Sequence, residues 1–210
     1  MVKYNKIDTV FERSTEGKKK LIEGQFRNKE VEYLKDNMWY FTEKFDGTNV
    51  RVYWDGHKVK FYGRTDKAQL PNGLIEVLEN MFGGTLNEEL FEQKFGENEV
   101  ILFGEGYGPK IQKGGSYRND ISFILFDVMV GNMYLNRDAI EDVAKCFNID
   151  CVPIIMTGTI EEAVDFVKAN PDSTMGTAKM EGLVGKPVVE LYSKTGKRMI
   201  VKIKSCDFNN

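Results

Sequence analysis

The stretch Glu43-Lys44-Phe45-Asp46-Gly47-Thr48-Asn49 decides how this sequence folds. It runs into Thr48–Trp54 (TNVRVYW), where alternating residues rich in β-branched and aromatic types predict a strand. Asp55-Gly56 and a second alternating run, Lys58–Tyr62, follow, so the region predicts a β-hairpin with a turn compatible with type I′. Lys44 therefore lies just before a tight turn that opens a hairpin.

A lysine in this position has two interpretations. Burial or nearby positive charge would favour the neutral amine, which can act as a covalent nucleophile. Gly47 would then let the backbone approach a phosphate closely. Asp46-Gly47 is also an ordinary turn dipeptide, and Lys-x-Asp-Gly often arises by chance, so the segment alone favours the structural interpretation.

Outside the hairpin, the sequence predicts a mixed fold with many strands. The predicted helices are Leu74–Phe82, Glu88–Phe95, Arg137–Phe147 and Thr159 to about Ala169. Asn136 is suited to cap the third helix, and Thr159 with Glu162 forms a capping-box pattern for the fourth. The predicted strands are Glu99–Phe103, Ile121–Val130, Cys151–Met156, Met180–Val184, Val188–Tyr192 and Met199–Lys204. Antiparallel sheets with flanking helices place the chain in the α+β class.

Composition narrows the possible functions. The 210 residues include 29 Lys+Arg and 32 Asp+Glu, a formal net charge of −3, which excludes a uniformly basic nucleic-acid binder. No apolar run approaches the ~20 residues that span a bilayer, and the N-terminus has no signal-peptide core. Three cysteines without metal-type spacing favour a reducing, cytoplasmic setting (the host cytoplasm if the protein is viral). The single histidine argues against His-based zinc sites and Ser-His-Asp chemistry.

Four further segments carry residues suited to nucleotide chemistry. In Phe103–Gly108, Glu105 ends a strand between glycines and could accept ribose hydroxyls or hold a metal through water, or it is a solvated loop glutamate. In Phe123–Val128, Phe126 could stack on a base, although its apolar neighbours favour a core residue. In Lys179–Val184, Glu181 enters a short apolar strand and could hold a divalent metal, or it marks a strand end.

The last of these segments is Val201–Ser205. Lys202 and Lys204 alternate with apolar residues, so they share one face of a strand. Such a basic face suits a phosphate, and an edge strand guarded by lysines is the alternative.

The five segments together, in this order, resemble motifs I, III, IIIa, IV and V of the covalent nucleotidyltransferase superfamily of nucleic-acid ligases and mRNA capping enzymes. Within it, the sequence is most similar to phage-type RNA ligases of the RNA ligase 2-like group. Asn49 stands where DNA ligases and capping enzymes usually have arginine. Gly63-Arg64-Thr65 resembles the arginine segment after motif I, and Lys202-x-Lys204-Ser205 with Phe208 resembles the end of motif V.

The resemblance implies a fold, a reaction and roles for residues. The fold is a nucleotidyltransferase (ATP-grasp-like ligase) domain. The reaction uses ATP and Mg²⁺ (or Mn²⁺): a lysine forms lysyl-AMP, AMP passes to an RNA 5′-phosphate, and a 3′-hydroxyl displaces it, as in RNA repair. The resemblance implies that Lys44 is the nucleophile, that Lys202 and Lys204 contact the α-phosphate, and that Glu181 holds the metal. It implies that Glu105 contacts the ribose, that Phe126 stacks on the adenine, and that the backbone around Glu43 contacts the adenine edge. Asn49 and Arg64 would contact ribose or phosphate of the nucleotide or of RNA, and the possible RNA contacts are Arg51, Lys110, Lys113 and Lys186.

The sequence predicts one adenylyltransferase domain over residues 1–210, without a C-terminal OB-fold or other appended domain. A minimal ATP-dependent DNA ligase or nick sealer, and a nucleotide- or RNA-binding module that no longer ligates, are the alternatives. Asn49 argues against the first, and the intact Lys44, Glu181, Lys202 and Lys204 argue against the second. Residues 44–70 and 181–210 each hold six basic and three acidic residues, so positive charge gathers on the segments that carry the proposed nucleophile and the phosphate-binding lysines.

Overall fold

A computed structural model of the chain describes residues 2–16 and 19–209. They divide into two compact units. Unit 1 comprises Met1–Tyr4 and Asp46–Val152, and unit 2 comprises Asn5–Phe45 and Pro153–Asn210. The chain therefore crosses from one unit to the other beside Tyr4, just after Lys44, and at Pro153.

The described residues form a mixed α+β fold. The strands are β1 (Asp8–Thr9), β2 (Phe11–Arg13), β3 (Leu21–Phe26), β4 (Trp39–Glu43), β5 (Thr48–Trp54), β6 (Val59–Tyr62), β7 (Val100–Tyr107), β8 (Ser122–Val130), β9 (Met133–Tyr134), β10 (Asp150–Cys151), β11 (Ile154–Gly158), β12 (Gly182–Pro187) and β13 (Val201–Lys204). The helices are α1 (Lys29–Tyr33), α2 (Asn72–Phe82), α3 (Thr85–Phe95), α4 (Arg137–Cys146) and α5 (Ile160–Lys168).

Unit 1 is built on a sheet of order β10-β8-β7-β5-β6, with β9 paired to β8. The central strands β5, β7 and β8 are antiparallel and almost entirely buried. One face of this sheet packs on α2, α3 and α4 around a core that includes Val50, Leu74, Phe91 and Phe123. Strand β8 is buried on both faces, which its continuous apolar sequence explains.

Unit 2 has its own sheet, of order β1-β13-β12-β4-β11, and a separate hairpin of β2 and β3. Its core includes Trp39, Phe41, Leu183 and Ile203, with apolar residues of α5 packed against them. Strand β12 pairs antiparallel with both β4 and β13, so Val184 has Thr42 as one register partner and Lys202 as the other. This register brings the segments that contain Lys44, Glu181 and Lys202 side by side.

Local signals predicted the ends of α4 and α5 to within one residue, whereas α2 and α3 begin two and three residues earlier than predicted. Asn136 caps α4 by accepting from Ala139 N, and Thr159 and Glu162 form the capping box of α5. The hairpin β5–β6 is also confirmed, but its turn is different. Only Gly56 of the central pair Gly56-His57 has a positive φ (94°), which fits type II′, whereas type I′ needs two.

Two strand predictions are wrong. The predicted strand Cys151–Met156 is two strands, β10 in unit 1 and β11 in unit 2, because Pro153 between them has no N–H to donate. The predicted strand Val188–Tyr192 does not form: Val188 and Val189 are exposed, and within the described residues only Tyr192 makes a bridge, to Arg198. Strand β7 is longer than predicted and continues to Tyr107, so Glu105 lies inside a strand instead of at its end.

Candidate active site

Three strands of unit 2 bring Lys44, Glu181 and Lys204 into direct contact. Lys44 follows β4, and its backbone N donates to Gly182 O at 2.9 Å. The Lys44 Nζ donates to Glu181 Oε2 at 2.6 Å, and the Lys204 Nζ lies 3.1 Å from Glu181 Oε1. One carboxylate therefore bridges two ammonium groups that are distant from each other in sequence.

The position of Glu181 is fixed by the backbone on both sides. Ser205 N donates to Glu181 O at 2.9 Å, and Ser205 Oγ donates to Met180 O at 2.7 Å. Gly182 has a φ of 152°, and a Cβ there would lie 2.0 Å from Ile203 O. Only glycine fits this approach of β12 to β13, which explains the Glu-Gly pair of motif IV in physical terms.

Lys44, Lys202 and Lys204 form a lysine cluster with Glu181, and this cluster has more positive than negative charge. Burial lowers the pKa of Lys202, and repulsion from Lys44, Lys204 and Lys6 lowers it further. Burial also opposes the charged form of Lys204, but its attraction to Glu181 and its hydrogen bond there outweigh this and raise its pKa. Glu181 thus accompanies Lys44, Lys202 and Lys204, with Lys6 near enough to repel Lys202, and this excess of positive charge suits a polyphosphate.

The side chain of Glu43 has a structural role of its own. Its side chain is 1% exposed, and its carboxylate accepts from the hydroxyls of Ser173 and Thr174 and from Thr174 N at 3.0 Å. Its backbone N donates to Pro153 O. Glu43 therefore fixes the loop that leads to Glu181 onto the strand that leads to Lys44. Ser173 and Thr174 had no recognisable sequence signal, because they are distant from Glu43 along the chain.

In unit 1, Asn49 and Glu105 are register partners on β5 and β7 and share one face of the sheet. The Asn49 Oδ1 is buried and has no hydrogen-bond partner among the described residues. An unpaired buried acceptor is costly, and a hydroxyl donor from a ligand would satisfy it. This is the observation in unit 1 that best fits a ribose.

Glycines make room for this arrangement. A Cβ on Gly47 would lie 2.4 Å from Gly106 O and 2.8 Å from the Glu105 Cγ, so only glycine lets the motif I turn lie against β7. Beside it, Asp46 N donates to the Tyr117 hydroxyl at 3.2 Å. The turn after the proposed nucleophile is therefore held by strand β7 and by a tyrosine that the sequence did not single out.

Phe126 lies at a β-bulge. Leu125 pairs with Gly104 and Asp127 pairs with Phe103, so Phe126 is the additional residue on β8. The bulge places Phe126 and Asp127 together on the face opposite the helices, where Phe126 packs beside Phe103. Bulges beside functional sites redirect side chains in this way. Phe126 is partly exposed, whereas its neighbours Leu125 and Asp127 are completely buried.

The predicted RNA-contacting residues are placed differently from one another. Arg64, Lys110 and Lys113 are exposed. Arg51 is fully buried: its guanidinium donates to Gly63 O, Val2 O and Asp66 Oδ1, so it is not placed to contact RNA. Lys186 shares the face of Lys202 but is only 5% exposed, so an RNA contact does not fit its position either.

Comparison with known proteins identifies the family. The family described as RNA ligase matches residues 37–204, from β4 to the end of β13 and through both units. The chain belongs to the RNA ligase family. This confirms the resemblance predicted from the five ordered segments. No curated protein matches the sequence.

Solved structures of a Naegleria gruberi RNA ligase share the fold. The structure with PPi has a TM-score of 0.65 at 21% identity and covers 97% of this chain and 60% of its own. A mutant with ATP and Mn has a TM-score of 0.66 at 19% identity (97% and 59%), and a mutant with AMP and Mn has 0.67 at 19% (97% and 60%). These values confirm the α+β fold, and this chain spans about 60% of the length of those proteins.

Two properties of the described residues bear on membranes and metals. None of the helices combines the length and the apolar character that a bilayer crossing requires. No group of three or more His, Cys, Asp and Glu side chains is arranged to hold a metal ion, again within the part of the chain that the structure describes. Glu181 is a carboxylate that could hold a divalent metal, since Mg²⁺ prefers oxygen ligands.

Proposed function

We propose that this protein is an ATP-dependent RNA ligase that works through a lysyl-AMP intermediate. The observation that carries the proposal is the contact of Lys44, Glu181 and Lys204, with Lys202 on the same strand as Lys204, inside the segment that matches the RNA ligase family. A nucleophile, a carboxylate and a pair of phosphate-binding cations are the groups that nucleotidyl transfer to lysine needs.

The first step is attack by Lys44 on ATP. The Nζ lone pair forms a bond to the α-phosphorus, the bond from that phosphorus to the α–β bridging oxygen breaks, and pyrophosphate leaves with the electron pair. The Nζ lone pair must be free to attack, and in the structure this Nζ donates a hydrogen bond to Glu181, so that contact has to be released first. Lys202 and Lys204 would stabilise the charge that develops on the phosphate oxygens.

In the later steps, AMP is transferred to the RNA and the two RNA ends are joined. The RNA 5′-phosphate attacks lysyl-AMP and releases the Lys44 amine, and a 3′-hydroxyl then attacks the activated phosphate and releases AMP. We assign Glu105 and the unpaired Asn49 Oδ1 to ribose hydroxyls, Phe126 to the adenine and Arg64 to phosphate. Lys113 remains our candidate RNA contact. We propose that the protein acts in the cytoplasm in RNA repair.

The metal would be held by Glu181, consistent with the Mn present in structures of the similar Naegleria ligase. Its chemistry, when bound, is to neutralise phosphate charge. Glu181 already lies between two lysines, so its carboxylate has a competing cation partner on each side. Metal at Glu181 would weaken its hold on Lys44.

A labelling experiment tests the covalent mechanism. The protein is incubated with Mg²⁺ and ATP labelled at the α-phosphate, then denatured and assayed for bound label. We expect label on the wild type and none on Lys44→Ala. An unlabelled wild-type protein, or equal label on both, would overturn the proposal.

A second experiment addresses the substrate. Nicked duplexes are compared in which the strand that carries the 3′-hydroxyl is RNA or DNA. We expect preferential sealing of the RNA strand, and equal sealing of all-DNA nicks would favour a minimal DNA ligase instead.

A further inference from the structure

The N-terminal residues of unit 1 contact the site directly. The Tyr4 ring lies 5.0 Å from the ring of Phe126 in an edge-on arrangement, and 5.0 Å from the ring of Phe103. The Tyr4 hydroxyl donates to Asp127 Oδ2 at 2.8 Å. Tyr4 therefore contacts both Phe126 and Asp127, which the β8 bulge places on the sheet face opposite the helices, although Tyr4 is distant from them in sequence.

The bulge makes these contacts important. Phe126 is the additional residue at this point of the strand and has no register partner on β7 to fix its direction. Asp127 is completely buried, so its carboxylate needs donors. The Tyr4 hydrogen bond supplies one donor, and the Tyr4 ring edge packs against the Phe126 ring in a favoured aromatic geometry.

We propose that Tyr4 is a positioning residue for the nucleotide base. It holds Phe126 and Asp127 in one arrangement before the nucleotide arrives, so that the ring of Phe126 is already oriented for stacking. Preorganised side chains bind more tightly because less conformational freedom is lost on binding. This inference rests on the proposed function only in taking the base of ATP as the group that stacks on Phe126.

The expected effect falls on nucleotide affinity. Tyr4→Ala should raise the KM for ATP in lysine adenylation roughly 3- to 10-fold, since a preorganised ring contributes a fraction of a stacking interaction. The rate at saturating ATP should stay within about twofold, because Tyr4 does not contact the reacting phosphate. Tyr4→Phe keeps the ring and loses the hydroxyl, so its effect should be intermediate.

Unit 1 offers a matched control. The Tyr53 hydroxyl donates to Glu99 Oε1 at 2.8 Å, so Tyr53→Phe also removes a tyrosine–carboxylate hydrogen bond from the same sheet face. The described ring contact of Tyr53 is with Tyr62 and not with Phe126, so its substitution should leave the KM unchanged.

The decisive measurement is a double-mutant cycle on nucleotide binding. Dissociation constants for a non-hydrolysable ATP analogue are measured by calorimetry for wild type, Tyr4→Phe, Phe126→Ala and the double variant. If Tyr4 acts through Phe126, its substitution weakens binding in the wild-type background and has no effect once Phe126 is alanine. Equal effects in both backgrounds, an unchanged dissociation constant, or no analogue binding at all would overturn the inference. Binding without label on Lys44 would instead overturn the ligase proposal alone.

Discussion

At the scale of single residues, Glu181 balances the lysine cluster. It contacts Lys44 and Lys204 at once, so its removal leaves like charges together and also removes the proposed metal ligand. We predict that Glu181→Gln lowers the rate of lysine adenylation by about 100-fold or more. Glu161→Gln removes the same charge at an exposed helix position and should have no effect. Substantial labelling of Glu181→Gln would remove Glu181 from its assigned role.

Lys202 should be needed for activity but should lower the stability of the folded protein. Its folded-state pKa is lowered from the ordinary 10.5, so the charged form is disfavoured in the folded protein. The resulting cost is fully present at pH values below the folded pKa and disappears as pH rises towards 10.5.

We therefore predict that Lys202→Met abolishes adenylation but raises the Tm at pH 7 by about 1–2 °C, a small value because the side chain is only half-buried. The gain should shrink as the pH rises towards the ordinary lysine pKa. The exposed Lys194→Met is the control and should leave the Tm unchanged. A lower Tm for Lys202→Met at pH 7 would show that its repulsion with Lys44 and Lys204 is outweighed by other contacts.

At the scale of elements, the glycines around Glu105 are required for packing. A Cβ on Gly104 would lie 2.2 Å from the ring of Phe123, a buried residue of the unit 1 core. We predict that Gly104→Ala destabilises the protein by about 1–3 kcal/mol, as overpacking of a dense core does, and lowers the Tm by several degrees. A Cβ on Gly115 would have its nearest neighbour 3.6 Å away, so Gly115→Ala should melt like the wild type. Equal melting of both variants would contradict the close packing of β7.

Elements with local signals were predictable and long-range contacts were not. The cap at Asn136, the capping box of Thr159 and the alternation of Thr48–Trp54 each depend on neighbouring residues, and each is confirmed. The burial of Arg51 and the partners of Glu43 depend on residues brought together only by the fold. A lysine or arginine in a basic segment looks available for RNA until its hydrogen bonds are known.

The sequence was sufficient to recognise the order of the motifs. It was not sufficient to explain why each motif needs its particular residues. Five short segments identified the family correctly, but nothing in the sequence near Gly182 indicates that Ile203 O lies against it. Likewise, Tyr4 lies in a polar N-terminal stretch with no motif, and nothing in the sequence indicates its hydrogen bond to Asp127 at the β8 bulge. Side-chain alternation predicts which face a residue occupies, whereas a bulge changes that alternation at one position.

At the scale of the whole molecule, the charge distribution should govern how the proposed ligase binds RNA. The chain has more acidic than basic residues, and residues 138–172 alone hold eight acidic and two basic ones. RNA is a polyanion, so it gains attraction only where lysine and arginine gather, and this attraction is reduced by salt. ATP needs far fewer contacts, and its proposed phosphate-binding residues, Lys202 and Lys204, are half-buried, where salt screens charge less.

Salt should therefore lower the rate of RNA sealing more than the rate of lysine adenylation. We predict that raising NaCl from about 50 to about 200 mM lowers the rate of RNA sealing by about tenfold or more, because several phosphate contacts are lost together. Labelling of Lys44 by ATP should change by less than about threefold over the same range. Lys113→Ala should reduce the slope of log rate against log salt for sealing and leave labelling unchanged, since Lys113 is exposed and outside the lysine cluster. If sealing and labelling fall in parallel, nucleotide binding limits both, and RNA is held by contacts other than exposed lysines.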